Sequence, residues 1–179
     1  IFGGSQGAHA INLLLIDAAP QLRAAVPDLE IWHITGAADR AMVEAGYRSA
    51  GLSARIDAFL DDMGSALGWA HLVIGRAGAT TIAELCAVGR ASILIPYPYA
   101  AEDHQAENAL RLANVGGALM RRQEDLDTDK LVSEIESLIA YDKRISMERA
   151  ARSAGRPEAA QEIATHCLDL MGTSGRERL

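Results

Sequence analysis

The segment Gly75-Arg76-Ala77-Gly78-Ala79-Thr80-Thr81-Ile82-Ala83-Glu84 sets a glycine-bent turn between an apolar run and a helical pattern, which restricts this part of the chain to strand, turn and helix. Residues 71–74 are a short apolar run of strand type, and residues 79–88 repeat with helical spacing, so Gly78 falls where the chain must turn sharply. A helix N-terminus at such a turn presents free N–H groups and the positive end of the helix dipole, which suit a phosphate or pyrophosphate. Thr81 adds a hydroxyl, and Glu84 follows three residues on, roughly 4.5 Å along the axis and on nearly the same face. A nucleoside diphosphate with its ribose diol fits that arrangement. The Thr81-x-x-Glu84 spacing also satisfies the capping box, in which the two side chains bond each other's backbone N–H and no ligand is involved. The pattern alone leaves both readings open.

The chain opens with Ile1-Phe2-Gly3-Gly4-Ser5-Gln6-Gly7-Ala8, the end of an apolar strand, a glycine loop and the start of a helix that runs to residue 26. Glycines at 3, 4 and 7 do not give the G-x-G-x-x-G spacing of dinucleotide folds, and no acidic residue closes the next strand, 31–34. The Lys and spacing of a P-loop are also absent. Alone, this loop reads as a tight turn as readily as a ligand site; two such loops in one α/β chain are a stronger signal. A third element, residues 93–109, ends a buried-type strand at Pro96, continues through Tyr97-Pro98-Tyr99 and enters a helix near Asp103. His104, Gln105 and Asn108 lie on its first turns, where short polar side chains can read sugar hydroxyls. The alternative is Asp103 as an ordinary N-cap with solvated neighbours.

The remaining pattern alternates. Strands are expected over 54–59 and 118–121, and helices over 39–48, 63–69, 129–140 and 157–171, with a basic stretch over 143–156 and a frayed tail from Gly172. Such alternation means an α/β fold, a Rossmann-like parallel sheet with helices on both faces and ligands at the carboxyl ends of the strands. At 179 residues and 49% hydrophobic content, one domain with a sizeable core is expected. No apolar run reaches the roughly 18 residues of a membrane span. The net charge of −7 argues against a nucleic-acid partner. Cys86 and Cys167 lack metal spacing and read as buried small hydrophobes. Asp61 and Asp62 read as caps for the following helix rather than a metal pair, and His33, His71 and His166 show no ligand-like arrangement. Lys143, Arg144, Arg149, Arg152 and Arg156 read as a solvated helix face, because Asp142 and Glu148 interrupt them.

Taken together, Gly-Gly-Ser-Gln-Gly-Ala at 3–8, Ile31-Trp32-His33, Phe59-Leu60-Asp61-Asp62-Met63, Arg76-Ala77-Gly78-Ala79 with Thr81 and Glu84, and Asp103-His104-Gln105 with Asn108-Ala109 resemble the donor-binding half of the MurG family. These are peptidoglycan N-acetylglucosaminyltransferases of GT-B architecture, and the likeness covers most of residues 1–115. The resemblance implies that this chain is the C-terminal half of such an enzyme, with UDP-N-acetylglucosamine as donor and a lipid-linked muramyl-pentapeptide acceptor. It implies that Gly4, Ser5, Gln6 and Gly7 face the pyrophosphate across a cleft from Ala79, Thr80 and Thr81. Glu84 would accept from both ribose hydroxyls, Phe59 would cap the uracil, backbone groups at Leu60 would read its edge, and His104 and Gln105 would contact the sugar. Where the family often carries Arg after Gly-Ala, this chain has His9. No cofactor or metal is implied. By the same resemblance the donor domain spans 1–171 with a flexible tail over 172–179, and an acceptor domain holding the general base precedes a chain that starts in mid-strand. No residue of 1–179 is then catalytic in the proton-transfer sense, and the whole enzyme would work on the cytoplasmic face of the bacterial membrane as a peripheral protein. Another UDP-sugar transferase of this architecture, a UDP-sugar epimerase, or a non-catalytic nucleotide-sugar sensor would share the nucleotide motifs.

Overall fold

The computed structural model describes residues 1–4 and 7–174; Ser5 and Gln6 of the opening loop lie outside the described residues, as does the end of the expected tail. Five short strands, β1 (Ile31–Ile34), β2 (Ala54–Asp57), β3 (Leu72–Gly75), β4 (Ala91–Leu94) and β5 (Leu119–Met120), alternate with helices. These are α1 (His9–Ala25), α2 (Arg40–Ser49), α3 (Met63–Trp69), α4 (Ala79–Val88), α5 (His104–Asn114), α6 (Thr128–Ile139), α7 (Tyr141–Ala154) and α8 (Ala159–Ser174). β1 pairs with β2, and β3 with β4 and β4 with β5, all in parallel. Phe2 joins the two groups through parallel bridges to Ile34 and Gly75, its N–H donating to the Ile74 carbonyl at 3.0 Å.

Across the sheet the order is therefore β2, β1, the Phe2 segment, β3, β4, β5. The chain winds outward from Phe2 in one direction through β1 and β2, then returns to Phe2's other side for β3 and winds the opposite way. The crevice beyond the carboxyl ends of Phe2 and β3 is thus the topological switch point, where open parallel sheets hold their ligands. Both glycine loops leave the sheet there.

Alternation along the strands explains the two covered faces. Ile74, Ile93 and Ile95 face a cluster with Ile11, Leu15 and Leu22 of α1, Val43 and Tyr47 of α2, and Leu131 and Ile135 of α6. Phe2, Ile34, Val73 and Leu94 face the opposite way, into a cluster with Leu67 of α3, Leu85 of α4, and Ala109 and Leu112 of α5. Each fully buried Leu or Ile stabilises the fold by about 1.5–3 kcal/mol.

Three expectations are corrected. The second strand stops at Asp57 rather than at residue 59, because the paired chain turns at Gly36, whose φ is +79° and whose N–H makes the last bond of this pairing, to the Ala58 carbonyl at 3.1 Å. Cys167 is exposed on α8, a helix whose described residues are almost all in solvent, whereas Cys86 is buried as expected. α8 also continues through Ser174, past the residue where the tail was expected to begin. Among the described residues no helix is long and apolar enough to cross a membrane.

Candidate functional site

At the two described ends of the opening loop the Gly7 N–H donates to the Gly4 carbonyl at 3.0 Å, and both residues have positive φ, +89° for Gly4 and +75° for Gly7. Gly7 has a second reason to be glycine: a Cβ there would lie 2.1 Å from the Thr35 carbonyl oxygen. The loop therefore rests directly on the end of β1. α1 begins immediately afterwards with no side-chain cap and no acidic residue in its first turn.

The turn after β3 decides between the two readings of Thr81 and Glu84. Gly78 is the N-cap of α4, with φ −62° and ψ 151°, so Thr81 is the third helical residue and Glu84 the sixth. A capping box needs the Thr at the cap, so none forms here. The first N–H groups of α4 have no side-chain cap and its first turn holds no acidic residue. By contrast, Asp62 caps α3 through the Ser65 N–H at 3.0 Å, and Asp127 caps α6 through the Lys130 N–H at 2.8 Å. Glu84 is half-buried and makes no hydrogen bond or ion pair among the described residues. α4 ends in the left-handed Gly89, whose N–H donates to the Leu85 carbonyl at 2.8 Å.

The third element is braced against the second. The Gln105 side-chain oxygen accepts from the Ala77 N–H at 3.2 Å and the Tyr97 N–H at 3.0 Å, and the Asn108 amide donates to the Ala77 carbonyl at 3.2 Å. Gln105 is thus a loop-bracing residue whose NH2 group makes no hydrogen bond among the described residues. His104 Nδ1 donates to the Ala101 carbonyl at 2.7 Å, which leaves Nε2 as an acceptor. Asp103 does not cap α5: it sits at φ +54° beside Glu102 at +50°, and its carboxylate pairs with Arg122 at 2.7 Å. Two adjacent non-glycine residues in the left-handed region are strained, and such strain clusters at ligand-binding loops.

Beneath these loops lies Arg76, buried and without a carboxylate partner among the described residues. Its guanidinium donates to the carbonyls of Ile95 at 3.1 Å and Pro96 at 3.0 Å and to Gln123 at 2.7 Å, and stands 5.4 Å from the Tyr97 ring centre. Burial draws its pKa down from the ordinary guanidinium value, opposed by Tyr97. Arg76 and the start of α4 thus both follow β3 within four residues, the cation without a carboxylate partner among the described residues and the helix without a side-chain cap at Gly78.

Phe59 and Leu60 follow β2 at the same edge of the sheet, and the Ala58 carbonyl accepts from the Gly36 N–H at 3.1 Å, tying them to the end of β1. Phe59 is 59% exposed, a large aromatic face available to a ring. Gly4 and Gly7 follow Phe2, Ala79, Thr80 and Thr81 follow β3, and His104 and Gln105 follow β4, while Glu84 lies a turn further along α4. A cavity of about 540 Å3 occupies the other end of the sheet, among Leu15, Leu22, Ile31, Trp32, Leu72 and Ile135. Its walls are mostly apolar, with Asp28, Glu30, His71 and Arg144 among the lining residues.

Asn12, His33 and Tyr47 were not legible as partners. All three are buried: His33 Nδ1 meets the Tyr47 hydroxyl at 2.9 Å, and His33 Nε2 meets Asn12 Oδ1 at 2.9 Å. Asn12 also donates to the Thr35 carbonyl at 2.9 Å and to Asp39 at 2.8 Å. Burial pushes the His33 pKa down to about 3, so the ring is neutral. Burial would raise the Asp39 pKa, but hydrogen bonds from His9 and Asn12 prevail and hold it below the usual carboxylate value. The signal in the sequence was a His inside the apolar run 31–34 and an Asn beside the core residue Ile11.

Comparison with known proteins gives the same picture. A protein of Anaeromyxobacter sp. (strain K) named as UDP-N-acetylglucosamine--N-acetylmuramyl-(pentapeptide) pyrophosphoryl-undecaprenol N-acetylglucosamine transferase is 45% identical over 172 residues, 96% of this chain and 45% of that protein. The identically named protein of Myxococcus xanthus (strain DK1622) is 46% identical over 183 residues, 99% of this chain and 48% of that protein. The chain thus spans about half the length of the curated relatives it matches. The crystal structure of Acinetobacter baumannii MurG superposes with a TM-score of 0.81 at 31% identity, over 96% of this chain and 50% of that one. A UDP-N-acetylglucosamine 2-epimerase shares the fold, with a TM-score of 0.67 at 14% identity over 95% of this chain and 44% of that one. The model of the glycosyltransferase family 28 C-terminal domain matches residues 1–163, and with these relatives it shows that the chain belongs to that family.

Proposed function

We propose that this chain is the sugar-nucleotide half of an inverting N-acetylglucosaminyltransferase of peptidoglycan synthesis, binding UDP-N-acetylglucosamine at the carboxyl edge of its sheet. The observation that carries the reading is that α1 and α4, whose N-cap residues make no side-chain cap bond, start on loops leaving neighbouring strands, with Glu84, unpaired among the described residues, one helical turn from Thr81. The helix ends and Arg76 suit the pyrophosphate, and Glu84 suits the ribose diol. Phe59 suits the uracil ring, Leu60 its edge, and His104 with the Gln105 amide suits the sugar. Gly4 and Gly7, with Ser5 and Gln6 between them, face the pyrophosphate from the other side.

In this reaction a sugar hydroxyl of the acceptor displaces UDP at the anomeric carbon with inversion. The chain's share is electrostatic: fixed N–H donors and a buried cation stabilise the charge growing on the departing pyrophosphate without the reorganisation water would need. The group that takes the acceptor's proton, and the surface that holds the lipid-linked acceptor at the cytoplasmic face of the membrane, belong to the half of the enzyme that residues 1–171 do not supply. Calorimetric titration of residues 1–179 tests the reading: UDP and UDP-N-acetylglucosamine bind, NAD does not, and no sugar reaches a lipid-linked acceptor. Equal binding of NAD would overturn the donor assignment, and turnover by the chain alone would place the base inside it.

A further inference from the structure

We propose that the buried series Tyr47, His33 and Asn12 is a positioning device for the glycine loop, holding Gly7 where its backbone can meet the pyrophosphate. The inference rests on the reading of the carboxyl edge as a nucleoside-diphosphate site, and goes beyond it by assigning a role to three side chains that no ligand touches. The direction of each bond follows from chemistry. The Thr35 carbonyl and the Asp39 carboxylate only accept, so the Asn12 NH2 must face them, at 2.9 and 2.8 Å. Asn12 Oδ1 then faces His33 Nε2, which must carry the hydrogen; Nδ1 is bare and accepts from the Tyr47 hydroxyl. The series is satisfied from end to end at exposures of 1% for Tyr47, 0% for His33 and 1% for Asn12.

Its far end acts on the loop. The carbonyl that Asn12 grips is the one Gly7 rests on, since a Cβ at Gly7 would lie 2.1 Å from that oxygen. Asn12 stands in the first turns of α1, directly after the loop, and its own N–H donates to the Ala8 carbonyl at 2.9 Å. The loop is thus held at one end by Phe2 in the sheet and at the other by Asn12, with Thr35 as the floor. A hydrophobic trio would fill the space with less desolvation cost; a fully bonded polar series fixes one arrangement. Removing a member leaves buried polar atoms unpaired and loosens the grip on the Thr35 carbonyl, although the Thr35 N–H stays bonded to the Asp57 carbonyl at 2.9 Å.

Two variants test this in the chain 1–179: Asn12→Ala, next to the loop, and Tyr47→Phe, which keeps the ring packing and removes only the distal donor. Without ligand, amide exchange at Gly7 accelerates roughly tenfold in each, while the amides of β4 are unchanged. With ligand, UDP weakens by about tenfold for Asn12→Ala and about threefold for Tyr47→Phe, while uridine, which lacks the phosphates, changes less than about twofold. If Asn12→Ala does not fold, Tyr47→Phe decides. A fall in thermal midpoint with unchanged Gly7 exchange and an unchanged UDP-to-uridine ratio would overturn the proposal, because the series would then serve the core alone. Faster Gly7 exchange in a protein whose wild type binds no UDP would support the positioning and sink the nucleotide reading instead.

Discussion

Replacing Glu84 with Ala separates ligand recognition from helix stability, because this carboxylate makes no hydrogen bond or ion pair among the described residues. It is the sixth residue of α4, beyond the first turn where the dipole is felt, and it has no partner among the described residues. Ala is the better helix former, so the change should move the thermal midpoint by less than about 2 °C. In the complex the carboxylate accepts from two ribose hydroxyls, and charge-assisted bonds of this kind contribute about 1.5–3 kcal/mol. The variant should bind UDP about 10- to 150-fold more weakly. Titrated against 2′,3′-dideoxy-UDP, wild type and variant should agree within about twofold, since the lost acceptor has no hydroxyl to meet. An unchanged UDP affinity, or equal losses for UDP and its dideoxy analogue, would refute the ribose assignment.

Gly7→Ala should cost more stability than Gly4→Ala: both stand at positive φ, worth about 1–2 kcal/mol, but Gly7 has a neighbouring oxygen 2.1 Å from the new Cβ, while Gly4 has nothing within 4 Å among the described residues. Equal thermal midpoints would show that the loop does not rest on Thr35. Gln105→Ala should weaken UDP-N-acetylglucosamine more than UDP and should also lower stability by about 1–3 kcal/mol, because the Ala77 and Tyr97 N–H groups lose their acceptor. Denaturant unfolding beside calorimetry reads both effects, and full stability with a sugar-specific loss would mean that the brace contributes nothing. His33 is neutral in the fold and its pKa falls from 6.5 to about 3, so the unfolded chain takes up a proton first as pH drops. Stability from this group is complete above pH 6.5 and is lost towards pH 3, at up to about 1.4 kcal/mol per pH unit. His33→Leu should flatten that dependence in unfolding experiments; an unchanged slope would show that His33 is not its source.

The two glycine turns were legible because glycine at a strand-to-helix junction and a switch from apolar run to helical period are local signals. Strand order was not local: Phe2 lies between Ile34 and Gly75, partners 32 and 73 residues away, and only that pairing puts both loops at one crevice. The choice between cap and ligand at Thr81 turned on which residue is the N-cap of α4: the helix was expected over 79–88 and is found at Ala79–Val88, and the cap conformation at Gly78 excludes Thr81 from that position. Asp103 looked like a cap by type, yet its left-handed backbone turns the carboxylate to Arg122. Gln105 was read for its sugar-facing amide, and its oxygen proved to hold two loops, because the N–H groups it joins come from Ala77 and Tyr97. His33 was set aside for lacking ligand spacing; its partners stand 21 and 14 residues away, on other elements.

Backbone amide shifts on titration with UDP and with uridine test the central claim most directly. UDP should perturb Gly7, Ala79, Thr80 and Thr81 together with Phe59, Leu60 and Glu84, whereas uridine should perturb Phe59, Leu60 and Glu84 and leave the two helix ends unmoved. Perturbations gathered instead around Ile31, Trp32 and Leu72, at the apolar cavity on the opposite end of the sheet, would contradict the account.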